Sequence, residues 1–187
     1  MERIQQGTGI ELMRWKRGAS TFVAWPTCGA RLMSWSLELA DGSDREVIHW
    51  PENADLRAPA KIRGGNPILF PFVARTFAGT KEGFWKGPDK VVRPMPRHGF
   101  ARDGVFEIET VSQTGFCAKL SPSASQRECY PFDYAFRVEY RFEELSTEII
   151  LSLENQDVTR IPWCAGHHCY FTLPWHSGLK RKHYQIN

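Results

Sequence analysis

From Tyr134 to Phe142 the chain alternates without a break: Tyr134, Phe136, Val138, Tyr140 and Phe142 fall on one side of an extended backbone, Arg137, Glu139 and Arg141 on the other. A period of two predicts a half-buried β-strand, because on a helix the same aromatics would scatter around the axis. The next stretch, STEIILSLEN, brings Ile149, Leu151 and Leu153 to one face, and residues 143–146 between the two runs suit a hairpin. Shorter runs predict strands over 10–16, 21–25, 31–39, 46–50, 105–111 and 116–120, separated by turn-forming PTCGA, ADGSD and SQTG. No window carries a helical period with caps, and 12 prolines and 15 glycines punctuate the whole chain. The pattern predicts an all-β protein, an antiparallel β-sandwich or barrel.

Two long connections interrupt this rhythm, at 51–66 and 78–103, and connections of that length in a compact protein usually carry function. With 187 residues, 42% hydrophobic and 24% charged, there is material for one sizeable core, so a single domain over 1–187 is expected. There is no run of eighteen apolar residues, and the first twenty residues lack the apolar stretch and small-residue cleavage site of a signal peptide; a soluble, cytoplasmic protein with no membrane partner is the expectation. Cys28, Cys117, Cys129, Cys164 and Cys169 form an odd set without framework spacing, which favours free thiols. The net charge is only +3, and Lys and Arg alternate with acids, so no nucleic-acid partner is indicated; the one basic cluster, LKRKHYQ near the C-terminus, reads as a solvated strand or loop.

Polar chemistry gathers at three points: Arg75 after NPILFPFVA, His98 and Arg102 in MPRHGFARD, and His167 and His168 in WCAGHHCYFTLP. Each lies beside aromatics and glycine, the composition of a sugar site, where apolar ring faces stack and a few placed polar groups hold hydroxyls. Phe84, Trp85, Trp163 and Trp175 are candidate walls, and equally candidate core. Cys164, His167, His168 and Cys169 raise a zinc reading, but adjacent His167 and His168 on a strand point to opposite faces and no paired Cys-x-x-Cys framework is present, so no metal is expected. Two histidines with two arginines beside them favour general acid and base work.

RGGNPILFPFVART, MPRHGFARD, YPFDYAFRVEYRF and GHHCYFTLP, in this order and spacing, resemble the aldose 1-epimerase (galactose mutarotase-like) family, with similarity running from about Gly29 to the C-terminus. The resemblance implies an antiparallel β-sandwich of the galactose mutarotase-like supersandwich type that interconverts the α and β anomers of a hexose, without cofactor or metal. It implies that His168, in His-x-Tyr-Phe, protonates the ring oxygen, that His98 hydrogen-bonds at the same end of the sugar, and that Arg75 holds a hydroxyl; Asn66, Arg102 and His167 complete the substrate-binding set, His167 at a position where many members carry another residue. The chemistry is consistent: mutarotation removes the anomeric hydroxyl proton while the ring oxygen gains one, and an imidazole exchanges protons near neutral pH.

The family's catalytic base is a glutamate late in a considerably longer chain, and nothing here matches it; Glu82, Glu128 and Glu143 are not assigned to that role. The expectation is therefore the N-terminal part of a mutarotase domain, incomplete at its C-terminus, with open strand edges at HHCYFTLP and KRKHYQIN. Two other functions stand beside the hexose epimerase. One is a hexose-6-phosphate epimerase with Lys61, Arg63, Arg75, Arg97 and Arg102 as phosphate contacts; the other is a non-catalytic sugar-binding sandwich.

Overall fold

A computed structural model describes residues 1–5 and 9–185. β1 (Glu2–Gln5), β2 (Glu11–Arg17), β3 (Ser20–Trp25), β4 (Arg31–Glu38) and β5 (Asp44–Ile48) form one antiparallel sheet in sequence order. After β6 (Ile68–Leu69), the second long connection folds into four short strands, β7 (Phe77–Ala78), β8 (Lys81–Glu82), β9 (Phe84–Lys86) and β10 (Val92–Pro94). β11 (Glu107–Ser112), β12 (Gly115–Leu120), β13 (Tyr134–Phe142) and β14 (Thr147–Asn155) form a second antiparallel sheet, and β15 (Gly166–His167) returns to pair with β6. Among the described residues no helix is long and apolar enough to cross a membrane.

The two sheets face each other through aromatics. Tyr134, Phe136, Val138, Tyr140 and Phe142 are all buried, as the alternation of β13 requires. Phe22 of β3 stacks on Phe142 at 4.5 Å, and Trp15 of β2 lies 5.6 Å from Phe116 and 5.0 Å from Phe142. Each such ring removed from water contributes about 1.5–3 kcal/mol. β13 and β14 run in unbroken register from Tyr134↔Asn155 to Phe142↔Thr147, so the hairpin sits at 143–146.

Several segments differ from the sequence expectation. Ser123 and Gln126 close a capping box that starts α1 (Ala124–Cys129), a short helix where none was expected. The expected strand in HHCYFTLP is broken up: His167 pairs with Ile68 of β6, and residues 170–172 lie along the open edge of β5, where Phe171 bridges Ile48, while their other side bonds to residues 65–67. KRKHYQIN was expected as a strand; Arg181–His183 form a 3₁₀ turn, and residues 186 and 187 lie outside the described set.

Residues 64–74 carry the site. Only Ile68–Leu69 is a strand; the rest is an irregular ribbon, buried over 64–71, whose backbone groups bind four other segments. Asn66 N–H donates to the Leu32 carbonyl at 2.7 Å and Gly65 N–H to that of His49 at 2.6 Å. Tyr170 N–H donates to the Gly65 carbonyl (3.0 Å), His168 N–H to Pro67 (3.2 Å), Phe100 N–H to Phe70 (2.9 Å) and His98 N–H to Ala74 (2.8 Å). Phe70 itself stacks on Phe136 at 4.1 Å, anchoring the ribbon in the core.

Arg31 fixes the loop on the other side. Only 2% exposed, its guanidinium donates to the carbonyls of Pro59 (2.7 Å), Ile62 (2.9 Å) and Gly64 (2.9 Å) and lies over the Trp50 ring at 5.3 Å. Burial pushes its pKa down to about 10, which still leaves it cationic at neutral pH.

Glycine is required where the ribbon is approached most closely. A Cβ on Gly99 (φ +70°) would lie 2.0 Å from the Phe70 carbonyl oxygen, and one on Gly65 (φ +68°) 2.4 Å from that of Leu32; at Gly42 (φ +79°) it would meet open space. Gly99→Ala and Gly65→Ala should each lower unfolding stability by about 2–4 kcal/mol in denaturant titration, against about 1 kcal/mol for Gly42→Ala. Arg31→Met, which leaves the buried carbonyls of Ile62 and Gly64 without their donor and that of Pro59 with only the Ile62 N–H, should cost about 3 kcal/mol in the same assay; a change under about 1 kcal/mol would show that the loop holds itself.

Candidate active site

A cleft of ≈ 550 Å³ opens where residues 60–63, 97–102 and 168–170 meet, within the size range of small-molecule sites. Both long connections contribute to it, together with the terminal segment. His98, His168 and Arg102, which the sequence singled out, line it together. The imidazole rings of His98 and His168 stand 6.1 Å apart, edge to face, and His168 lies 5.1 Å from the ring of Tyr170. Ile62, Pro67, Leu69 and Tyr170 supply apolar and aromatic surface.

His98 is held in an uncommon backbone conformation, φ +67°, facing Ala74 at φ +64°. The pair is reciprocal: His98 N–H donates to the Ala74 carbonyl, and Ala74 N–H donates to His98 Nδ1 at 3.0 Å. An Nδ1 that accepts carries no proton, so neutral His98 is the Nε2–H tautomer and is a hydrogen-bond donor at that nitrogen. Its pKa is lowered, first by burial and then by the charges of Arg102, His168 and Arg97.

The cleft is cationic. Arg31, Lys61, Arg63, Arg97 and Arg102 all line it, and among the described residues no carboxylate does. Arg102 Nε is buried without a hydrogen-bond partner. Such a lining can polarise hydroxyl oxygens and hold an anion.

The other anticipated residues stand apart from the cleft lining. Arg75 leaves the ribbon outward and is ion-paired with Glu82 at 3.1 Å, each side chain about half exposed. Asn66 is completely buried beneath the cleft, where Nδ2 donates to Tyr140 Oη at 3.2 Å and Oδ1 accepts from His168 N–H at 3.0 Å. His167 diverges from its neighbour; its exposed ring lies beside Cys169, Nδ1 3.6 Å from Sγ. Of the candidate walls, Trp85 is core, its indole donating to the Cys129 carbonyl, while Trp163 and Trp175 are partly exposed and outside the cleft lining. Sequence reasoning missed Arg31 and Tyr170. Tyr170 stands in the quoted HHCYF motif, whereas a buried arginine opening a strand leaves no periodic signal.

The sequence model of the aldose 1-epimerase family matches residues 11–187. The plasmid-borne protein LacX of Lactococcus lactis subsp. lactis is 25% identical over 155 residues, 80% of this chain and 49% of its own length. A galactose mutarotase related enzyme from Lactobacillus acidophilus superposes with a TM-score of 0.75 at 24% identity, over 91% of this chain and 52% of that one. A galactose mutarotase-like protein from Clostridium acetobutylicum gives 0.75 at 14% identity, over 95% and 55%. The chain thus spans about half the length of these relatives, and the fold it shares with the two solved structures is the galactose mutarotase-like sandwich. With the family pattern matched along nearly all of it and the two motif histidines brought to one cleft, the chain belongs to the aldose 1-epimerase family.

Proposed function

We propose that the cleft is the sugar site of a hexose 1-epimerase and that His168 and His98 act on the ring oxygen. The observation that carries this reading is the pair of imidazoles 6.1 Å apart across a cleft with apolar and aromatic surface. In the forward direction the anomeric hydroxyl loses its proton, its oxygen becomes the aldehyde carbonyl, and the bond from the anomeric carbon to the ring oxygen breaks as that oxygen takes a proton from His168. Rotation of the aldehyde and reclosure give the other anomer. His98, donating from Nε2, hydrogen-bonds the same oxygen as charge develops on it. Arg102 orients a hydroxyl. Arg75, Asn66 and His167 have no direct contact with sugar in this reading, given their places outside the cleft lining.

Among the described residues no carboxylate lines the cleft to take the anomeric proton. The 187-residue chain is therefore expected to bind sugar and to turn it over slowly or not at all. A phosphorylated hexose is the second reading, favoured by five cationic side chains around the cleft with no carboxylate among the lining residues.

Polarimetry of anomeric equilibration tests the catalytic reading on any active form that contains this chain. His168→Ala should lower the catalysed rate by about 10²-fold or more and His98→Ala by a similar or smaller factor; an unchanged rate in the His168 variant would remove it from the mechanism. Binding that persists in a form that never accelerates equilibration would favour the sugar-binding sandwich. Calorimetry should find glucose 6-phosphate bound at least about tenfold more tightly than glucose, with the advantage shrinking at high salt; equal affinities would dismiss the phosphate.

His98 supplies a pH prediction. Its folded pKa lies below the ordinary 6.5 because burial, Arg102, His168 and Arg97 oppose its protonation. The unfolded chain binds this proton first as pH falls, so the stability contribution is complete above about 6.5 and lost as pH drops through the folded value. In NMR titration the His98 ring should titrate below the unfolded midpoint, and Arg102→Met should raise it; a downward or absent response would place Arg102 out of range.

A further inference from the structure

We propose that Asn66 is the positioning residue for His168, acting on its backbone amide from beneath the cleft. The proposal rests on the reading of His168 as the acid. Among the described residues, the His168 side chain has no hydrogen-bond partner; its aromatic neighbours are the rings of His98 and Tyr170, at 6.1 and 5.1 Å. With no side-chain hydrogen bond, the Cα–Cβ direction from which the ring projects is set by the backbone, and the His168 N–H is held by two acceptors, Asn66 Oδ1 at 3.0 Å and the Pro67 carbonyl at 3.2 Å.

The orientation of the Asn66 amide follows from its partners. A backbone N–H only donates, so the amide oxygen faces His168 and the amide nitrogen faces Tyr140 Oη, which accepts at 3.2 Å. Asn66 and Tyr140 are both buried, Asn66 at 0% exposure, so neither group has water as a substitute partner. Asn66 N–H is tied to Leu32 of β4, and Tyr140 belongs to β13. The amide thus connects both sheets of the sandwich to the segment that carries His168, and rigid elements hold the acid on an otherwise irregular stretch.

Amide hydrogen exchange and ring signals of the labelled chain test this without requiring turnover. Asn66→Leu should accelerate exchange at the His168 amide by at least about tenfold and broaden or split its ring signals, while the amides of Arg137 and Val138 in β13 exchange as before. Asn66→Asp, which keeps an acceptor, should restore His168 protection, and Tyr140→Phe, which frees the amide to turn, should give an intermediate acceleration. His168 exchange within twofold of wild type in Asn66→Leu, or Asn66→Asp no better than Asn66→Leu, would overturn the proposal. Should Asn66→Leu fail to fold, unchanged His168 exchange in Tyr140→Phe overturns it instead. These readouts concern how His168 is held, so an absence of epimerase activity in the polarimetric assay would count against the functional reading and leave this result standing.

Discussion

The backbone hydrogen bonds of residues 64–74 are the constraint on which the rest of the site depends. This ribbon is too irregular to satisfy itself in a sheet, yet residues 64–71 are buried, so their amide and carbonyl groups need partners from elsewhere. They find them in β4, in the end of β5, in the loop at 98–101 and in the terminal segment at 164–170. Meeting that requirement brings His98 and His168, seventy positions apart in the chain, into one cleft. The close approaches that need glycine, at Gly65 and Gly99, lie on the same seam.

The cleft that results has an electrostatic character set from below and from its rim. Among the described residues Arg31 has no carboxylate partner; its charge is met by three carbonyl dipoles, and the loop it grips presents Lys61 and Arg63 to the cleft. Removing a guanidinium from water is costly unless its donors are satisfied; the carbonyls of Pro59, Ile62 and Gly64 meet its two terminal nitrogens, while Nε is buried without a partner. Arg97 and Arg102 complete the positive rim and, after burial, oppose protonation of His98. Those charges disfavour the imidazolium of His98, the Ala74 N–H on Nδ1 puts the proton of its neutral form at Nε2, and His168 is carried by a main chain held at its N–H.

The sandwich was legible where periodicity was strong. Tyr134–Phe142 and Thr147–Asn155 stand where the alternation of apolar and polar residues puts them, because a sheet with one buried face enforces a period of two. β1, with the burial pattern of an exposed edge, had no such signal, and the two- and three-residue strands β7 to β10 are too short for one. The capping box at Ser123 and Gln126 was present in the sequence, but six residues of helix show no apolar stripe to accompany it. Within the site, His98, His168 and Arg102 were marked by their motifs. Asn66 and Arg75 were placed by the same motifs, yet which way a side chain leaves an irregular ribbon depends on long-range pairing; one turns into the core toward Tyr140 and the other out to Glu82.

The proposed chemistry requires a sugar in the cleft between His98 and His168. Ring-resolved NMR of the chain during titration with glucose and with glucose 6-phosphate tests it most directly. Saturable shifts are expected, concentrated at the His98, His168 and Tyr170 rings, with the rings of His49, His176 and His183 unmoved. Shifts spread evenly over all the histidines, or confined to those outside the cleft, would contradict it.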